Sequence, residues 1–143
     1  MGYGSTILHF DGRRWRVLDD PDGSATNDLL TGIAFHPSGE VLISGKSRGG
    51  RVLRGSADQG FTVMGRYGLP LIGMAEVDGR LFLAATRGGA AELTGDGLRI
   101  LRDDLVPWSV AEGQGRVYFT ITPDDAAYTE LDLASGQWRQ LSY

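Results

Sequence analysis

Three stretches of this chain repeat one another, and that repetition constrains the fold more than any other feature. Gly32–Ile43, Gly73–Leu83 and Ser109–Phe119 align on one pattern, anchored by Gly39, Gly79 and Gly115 at spacings of 40 and 36 residues. In each, a glycine turn leads into an alternating run: Glu40–Ser44, Arg80–Ala84 and Arg116–Thr120. Period-2 alternation after a turn residue is the signature of a half-buried strand. Each repeat then completes itself with a second hairpin: Arg51–Arg54 with Phe61–Met64, Ala90–Leu93 with Leu98–Leu101, and Tyr128–Leu133 with Gln137–Leu141. The N-terminal region supplies only this second half, Ile7–Gly12 with Arg14–Leu18, in which Trp15 aligns with Trp138 and Arg16 with Arg139.

A repeat of this length holding four short strands suits one propeller blade. The sequence therefore predicts an all-β, propeller-like fold of four-stranded antiparallel blades, about 14 strands in all, incomplete within one chain. A single domain over 1–143 divides into an outer hairpin (5–20) and blades over 29–66, 70–103 and 107–143. No segment carries the pattern of an amphipathic helix. The 22 glycines fit this reading, because tight turns need positive φ without steric cost. The matched tryptophans Trp15 and Trp138 are expected to pack in the core or between blades.

Ser56-Ala57-Asp58-Gln59-Gly60-Phe61-Thr62-Val63 resembles the Asp box of BNR-type, sialidase-like propellers, Ser-x-Asp-x-Gly-x-Thr-Trp, with Val63 at the last aromatic position. It falls between the third and fourth strands of a blade, where that family carries it. In such a turn Asp58 is expected to accept backbone N–H groups, and Gly60 to take a φ its neighbours cannot. Ser56, Asp58, Gly60 and Thr62 are then structural. The family's hydrolases need three arginines, a tyrosine nucleophile with an acidic partner and an acid/base aspartate; Asp124 stands where the third blade would need an arginine. The resemblance implies the fold and argues against sialidase chemistry.

Composition excludes further classes. There is no cysteine, so disulfides, thiol nucleophiles and thiolate metal sites are out, and His9 and His36 are the only histidines. The net charge of −4 argues against a general nucleic-acid surface. No apolar run reaches the ~18 residues of a membrane span, and Met1–Gly4 opens no signal pattern, so the reading is cytoplasmic with no membrane partner. Lys46 is the only lysine, a bias expected of a GC-rich bacterial genome.

Three and a half blades do not close alone, and an open arc exposes blade faces and strand edges. Something is expected to cover them: a second copy, a different protein, or the rest of a longer propeller. Self-association leads, because two copies hold twenty-eight strands, the number in seven blades. Both surplus hairpins are outer ones, so that joint requires unusual pairing.

Candidate ligand residues lie on the loops joining second to third strands and blade to blade. Arg48 and Arg87 occupy equivalent positions, where an arginine fork grips a carboxylate. Tyr67 and Trp108 offer rings, and Asp103, Asp104 and Asp124 an acidic rim for a basic partner. The loop Asp19–Asp28 is dense in oxygen, and Asp20, Asp22 and Asp28 make calcium the one cofactor to consider, although EF-hand spacing is lacking. The leading functional reading is a non-catalytic protein-binding module. The alternatives are a lectin-like carbohydrate binder, an immunity protein neutralising a toxin, and an enzyme assembled at a dimeric channel.

Overall fold

The computed structural model describes residues 6–22, 29–46, 49–121 and 127–142. Fourteen strands form one two-stranded and three four-stranded antiparallel sheets. The hairpin is β1 (Ile7–Phe10) with β2 (Trp15–Leu18). Blade 1 is β3 (Leu30–Phe35), β4 (Val41–Gly45), β5 (Arg51–Ser56) and β6 (Gly60–Arg66). Blade 2 is β7 (Gly73–Val77), β8 (Arg80–Ala84), β9 (Ala90–Thr94) and β10 (Gly97–Arg102). Blade 3 is β11 (Ser109–Gly113), β12 (Arg116–Thr120), β13 (Ala127–Asp132) and β14 (Trp138–Ser142). Within each blade the strands lie in chain order, as in a meander. Among the described residues the one helical element is a 3₁₀ turn at Thr86–Gly88, and no helix is long and apolar enough to cross a membrane.

The repeated glycine turns work as their chemistry requires. Between β7 and β8, Asp78 (φ 52°) and Gly79 (φ 79°) form a two-residue loop with both φ positive; Gln114 (φ 49°) and Gly115 (φ 75°) do the same between β11 and β12. That backbone twist matches the strands it joins. The innermost strands crowd together, with β7 packed between β3 and β11. Gly32 permits this, since a β-carbon there would fall 2.6 Å from Ser44 Oγ and 2.9 Å from the Met74 nitrogen.

Three apolar cores lie between successive sheets, made by alternate side chains of each strand. Ile7, Ile43 and Leu53 join the hairpin to blade 1, with Leu18, Phe61 and Val63 at their margin. Leu42, Val52, Leu71, Met74, Leu81 and Leu83 join blades 1 and 2. Phe82, Val117, Phe119 and Leu131 join blades 2 and 3, and Trp138 closes that core with its ring 5.9 Å from Phe119. Arg102 of blade 2 lies over the same indole, 5.3 Å from its centre. Trp138 is thus the inter-blade packing residue the repeat predicted. Trp15 is not: it stays 67% exposed, touching Phe10 at 5.1 Å between ring centres.

Candidate functional site

The loop rim is less open for ligands than its sequence suggests. Arg48, Asp28 and Asp124 lie outside the described residues. Arg87 sits exposed on the 3₁₀ turn. Tyr67 turns inward against the core between blades 1 and 2, and burial pushes its hydroxyl pKa up. Asp104 accepts from both Arg102 Nε (2.6 Å) and Arg102 Nη2, and this guanidinium holds its carboxyl below the usual range. Asp103 is exposed beside it, and Trp108, 48% exposed, is the one ring of the rim open to solvent among the described residues.

The oxygen-dense loop is likewise committed. Arg51, which opens β5, is fully buried. Its Nη1 donates to Asp20 Oδ1 at 2.6 Å and to Asp22 Oδ2 at 2.8 Å, and its Nη2 donates to Asp20 Oδ2 at 2.6 Å. Arg66 adds a 2.6 Å contact to Asp22 Oδ2. The calcium expectation at Asp20 and Asp22 is therefore corrected: a bidentate guanidinium already neutralises these carboxylates. The pairing pins the loop after β2 onto blade 1, so these aspartates hold the hairpin in place. Among the described residues no group of three or more ligating side chains is arranged to hold a metal.

The turn that resembles an Asp box joins β5 to β6, with Ser56 opposite Gly60. Gly60 takes φ 77° as its position requires. The expected role of Asp58 is corrected, because the turn's acceptor is Ser56 Oγ, which receives the Gln59 N–H at 3.1 Å. Asp58 projects 92% exposed, with Arg16 Nη2 at 3.9 Å, and Thr62 lies exposed on β6 opposite Arg54.

Larger and less expected is the pair of uncovered blade faces. On the hairpin, Leu8 faces Val17 and Phe10 faces Trp15 across the strands, and all four are exposed. The strand registers place Trp15 where Phe61, Leu98 and Trp138 stand in blades 1 to 3, and each of those packs into an inter-blade core. Leu8, 56% exposed, stands where Leu53, Ala91 and Thr129 are buried. At the other end of the arc, Tyr118 and Tyr128 of blade 3 meet edge to face at 5.6 Å beside Ala111 and Thr120, lining an open depression of about 360 Å³. Tyr118 occupies the position of the buried Leu42 and Phe82, so this too is a surface that blades 1 and 2 cover. The alternation of β1 and β2 carried this signal, but only in combination with the hairpin's place at the end of the repeat.

A third recurring feature is a charged cluster on each blade. In blade 2, Glu92 is buried, accepting from Arg80 Nε at 2.8 Å and Arg99 Nη2 at 2.5 Å. Arg80 first, then Arg99, holds its carboxyl below the usual glutamate range. In blade 3, Glu130 takes Arg139 at 2.8 Å, with Arg116 at 3.9 Å. Blade 1 reverses the signs, Arg54 meeting Glu40 at 2.5 Å. The hairpin carries His9 and Arg16 at the matching places, 3.3 Å apart, and Arg16 Nε is buried with no hydrogen-bond acceptor among the described residues.

No family model matches the sequence, and no curated protein does. Solved structures do. The chain resembles one in a nidogen/laminin complex, at 20% identity and a TM-score of 0.71 over 90% of this chain and 52% of that one. It resembles YCF48 bound to D1 peptide, at 18% identity and a TM-score of 0.64 over 96% and 47%. A Myxococcus xanthus glutaminyl cyclase matches at 17% identity and a TM-score of 0.56, over 80% and 51%. The chain spans about half the length of these structures. The fold is that of a β-propeller, here an arc of three four-stranded blades and one outer hairpin.

Proposed function

We propose that this chain is a non-catalytic propeller module that binds protein through its two unfinished blade ends, first of all a second copy of itself. The observation that carries the reading is the exposed row Leu8, Phe10, Trp15 and Val17, in which Leu8 and Trp15 hold positions that are buried or packed against the preceding sheet in the other blades. What fits such a row is the opposite face of a blade, and blade 3 offers one in Tyr118 and Tyr128. Joining unlike ends is a heterologous contact, which either closes into a ring or propagates. Two copies place eight blade positions in a ring, two of them holding an outer hairpin alone. Two of the similar structures, the nidogen/laminin complex and YCF48 with D1 peptide, are complexes with a protein or peptide, which supports a protein partner. The commitment of Asp20, Asp22 and Asp104 to arginines supports a non-catalytic rim. Kinship with Asp-box propellers is part of the same reading, supported by the Ser56–Thr62 turn at the β5–β6 junction.

The chain has no native cysteine, so cross-linking tests the joint directly. Mixing a Trp15→Cys chain with a Tyr128→Cys chain under mild oxidation is expected to give the mixed disulfide in preference to either self-linked product. Self-linked products alone, or none, would overturn head-to-tail joining. A lectin-like reading is favoured by the exposed Trp108 ring; glycan binding abolished by Trp108→Ala would establish it.

A further inference from the structure

In every complete blade the third strand pairs with a second strand on its inner side: β5 with β4, β9 with β8, β13 with β12. The hairpin strand β1 corresponds to a third strand, and among the described residues its one partner is β2. Its inner edge borders a cleft of about 340 Å³ lined by Thr6, Ile7, Leu8, Leu30, Ile33 and Ile43. Ile33 on the far wall is 55% exposed, whereas Met74, its equivalent in blade 2, is buried between sheets. The cleft thus has the apolar floor of a blade's inner half and, among the described residues, a β1 edge that no strand covers.

Charge specifies the rest. Each complete blade sets a carboxylate against arginine at the cluster shared by its second, third and fourth strands. Among the described residues the hairpin holds only Arg16 and His9 there, with Arg16 Nε lacking an acceptor and the nearest carboxylate, Asp58, almost wholly in solvent. The residue that opens or just precedes a second strand reaches this cluster in every complete blade, as Glu40, Arg80 and Arg116 do, and beside Arg16 and His9 a carboxylate at that place completes the pairing of opposite charges.

We propose that this cleft is a strand-acceptor site for an extended segment of a partner protein, pairing antiparallel to β1 and bearing a carboxylate that meets Arg16, followed by alternating apolar residues. Main-chain pairing to the β1 edge supplies affinity, and the carboxylate and apolar pockets supply register and selectivity. The inference rests on the protein-binding reading, and Leu8 belongs both to the cleft and to the row offered to a second copy.

The probe is a fluorescent peptide, Gly-Glu-Val-Leu-Ile-Ser-Gly, which copies residues 39–45 of this chain. Its anisotropy on titration with the full chain is expected to saturate, with the β1 amides gaining hydrogen-exchange protection. Arg16→Glu is expected to weaken binding roughly tenfold or more, and a peptide with lysine in place of glutamate to recover much of that loss on the Arg16→Glu chain. Absence of saturation up to about 1 mM peptide would overturn the proposal, as would binding indifferent to Arg16→Glu. Formation of the Trp15–Tyr128 cross-link alongside a failed titration would separate loss of this site from loss of the protein-binding reading.

Discussion

Replacing Arg51 with methionine tests how the arc holds its hairpin. The side chain is fully buried, Asp20 is 2% exposed, and the two share paired hydrogen bonds of 2.6 Å. Methionine fills similar volume without a donor, leaving the Asp20 carboxylate buried and without its guanidinium. Asp22 keeps Arg66. Breaking a buried pair from one side costs about 3–5 kcal/mol, because desolvation of the remaining charge is no longer offset. For a domain of this size that lowers Tm by roughly 10 °C. Guanidinium titrations followed by tryptophan fluorescence measure the loss. Arg54→Met, which breaks the half-exposed and solvent-screened Glu40 pair, is the control and should cost far less. Adding Asp20→Asn to Arg51→Met removes the stranded charge and should recover about half the loss or more. Exchange protection should fall first in β1 and β2, which the loop anchors. An Arg51→Met cost no larger than that of Arg54→Met would refute the reasoning.

The turns and the charged clusters make separate predictions. Gly79 has φ 79° with open space around its β-carbon position, so Gly79→Val should cost about 1–2 kcal/mol from backbone strain alone. Gly50→Ala should cost about twice that or more, since its β-carbon would fall 1.6 Å from the Leu69 carbonyl oxygen; equal costs in thermal melts would contradict this. The depressed pKa of Glu92 stabilises the fold in full above the ordinary glutamate value of 4.5, and that contribution is lost as pH falls through the lower folded value. Glu92→Gln should therefore flatten the stability-versus-pH curve below about pH 4.5, and an unchanged acid limb would count against the cluster.

The repeat was legible because alternation and glycine turns are local properties of the chain. Glu40–Ser44 lies within a residue of β4 at either end, Arg80–Ala84 coincides with β8, and Arg51–Arg54 runs two residues further, to Ser56. What local pattern does not carry is the surface that lies opposite a side chain. Trp15 and Trp138 hold the same place in the repeat, yet one is capped by Arg102 and Phe119 and the other by nothing beyond Phe10. The loop aspartates read as calcium ligands for the same reason, since their arginine stands 31 residues from Asp20 on another sheet. Asp58 misled through chemistry, because in this turn a serine hydroxyl takes the acceptor role. The inward turn of Tyr67 follows from Gly49 and Gly50, whose carbonyls receive its backbone N–H at 3.0 and 3.1 Å.

The central claim, that the uncovered blade ends bind a second copy, is tested most directly by absolute mass in solution, from light scattering on a sizing column over a range of concentrations. The account predicts a species of at least twice the 15.4 kDa chain mass, returned to one chain by Trp15→Glu. A wild-type chain that stays at 15.4 kDa at every concentration would contradict it.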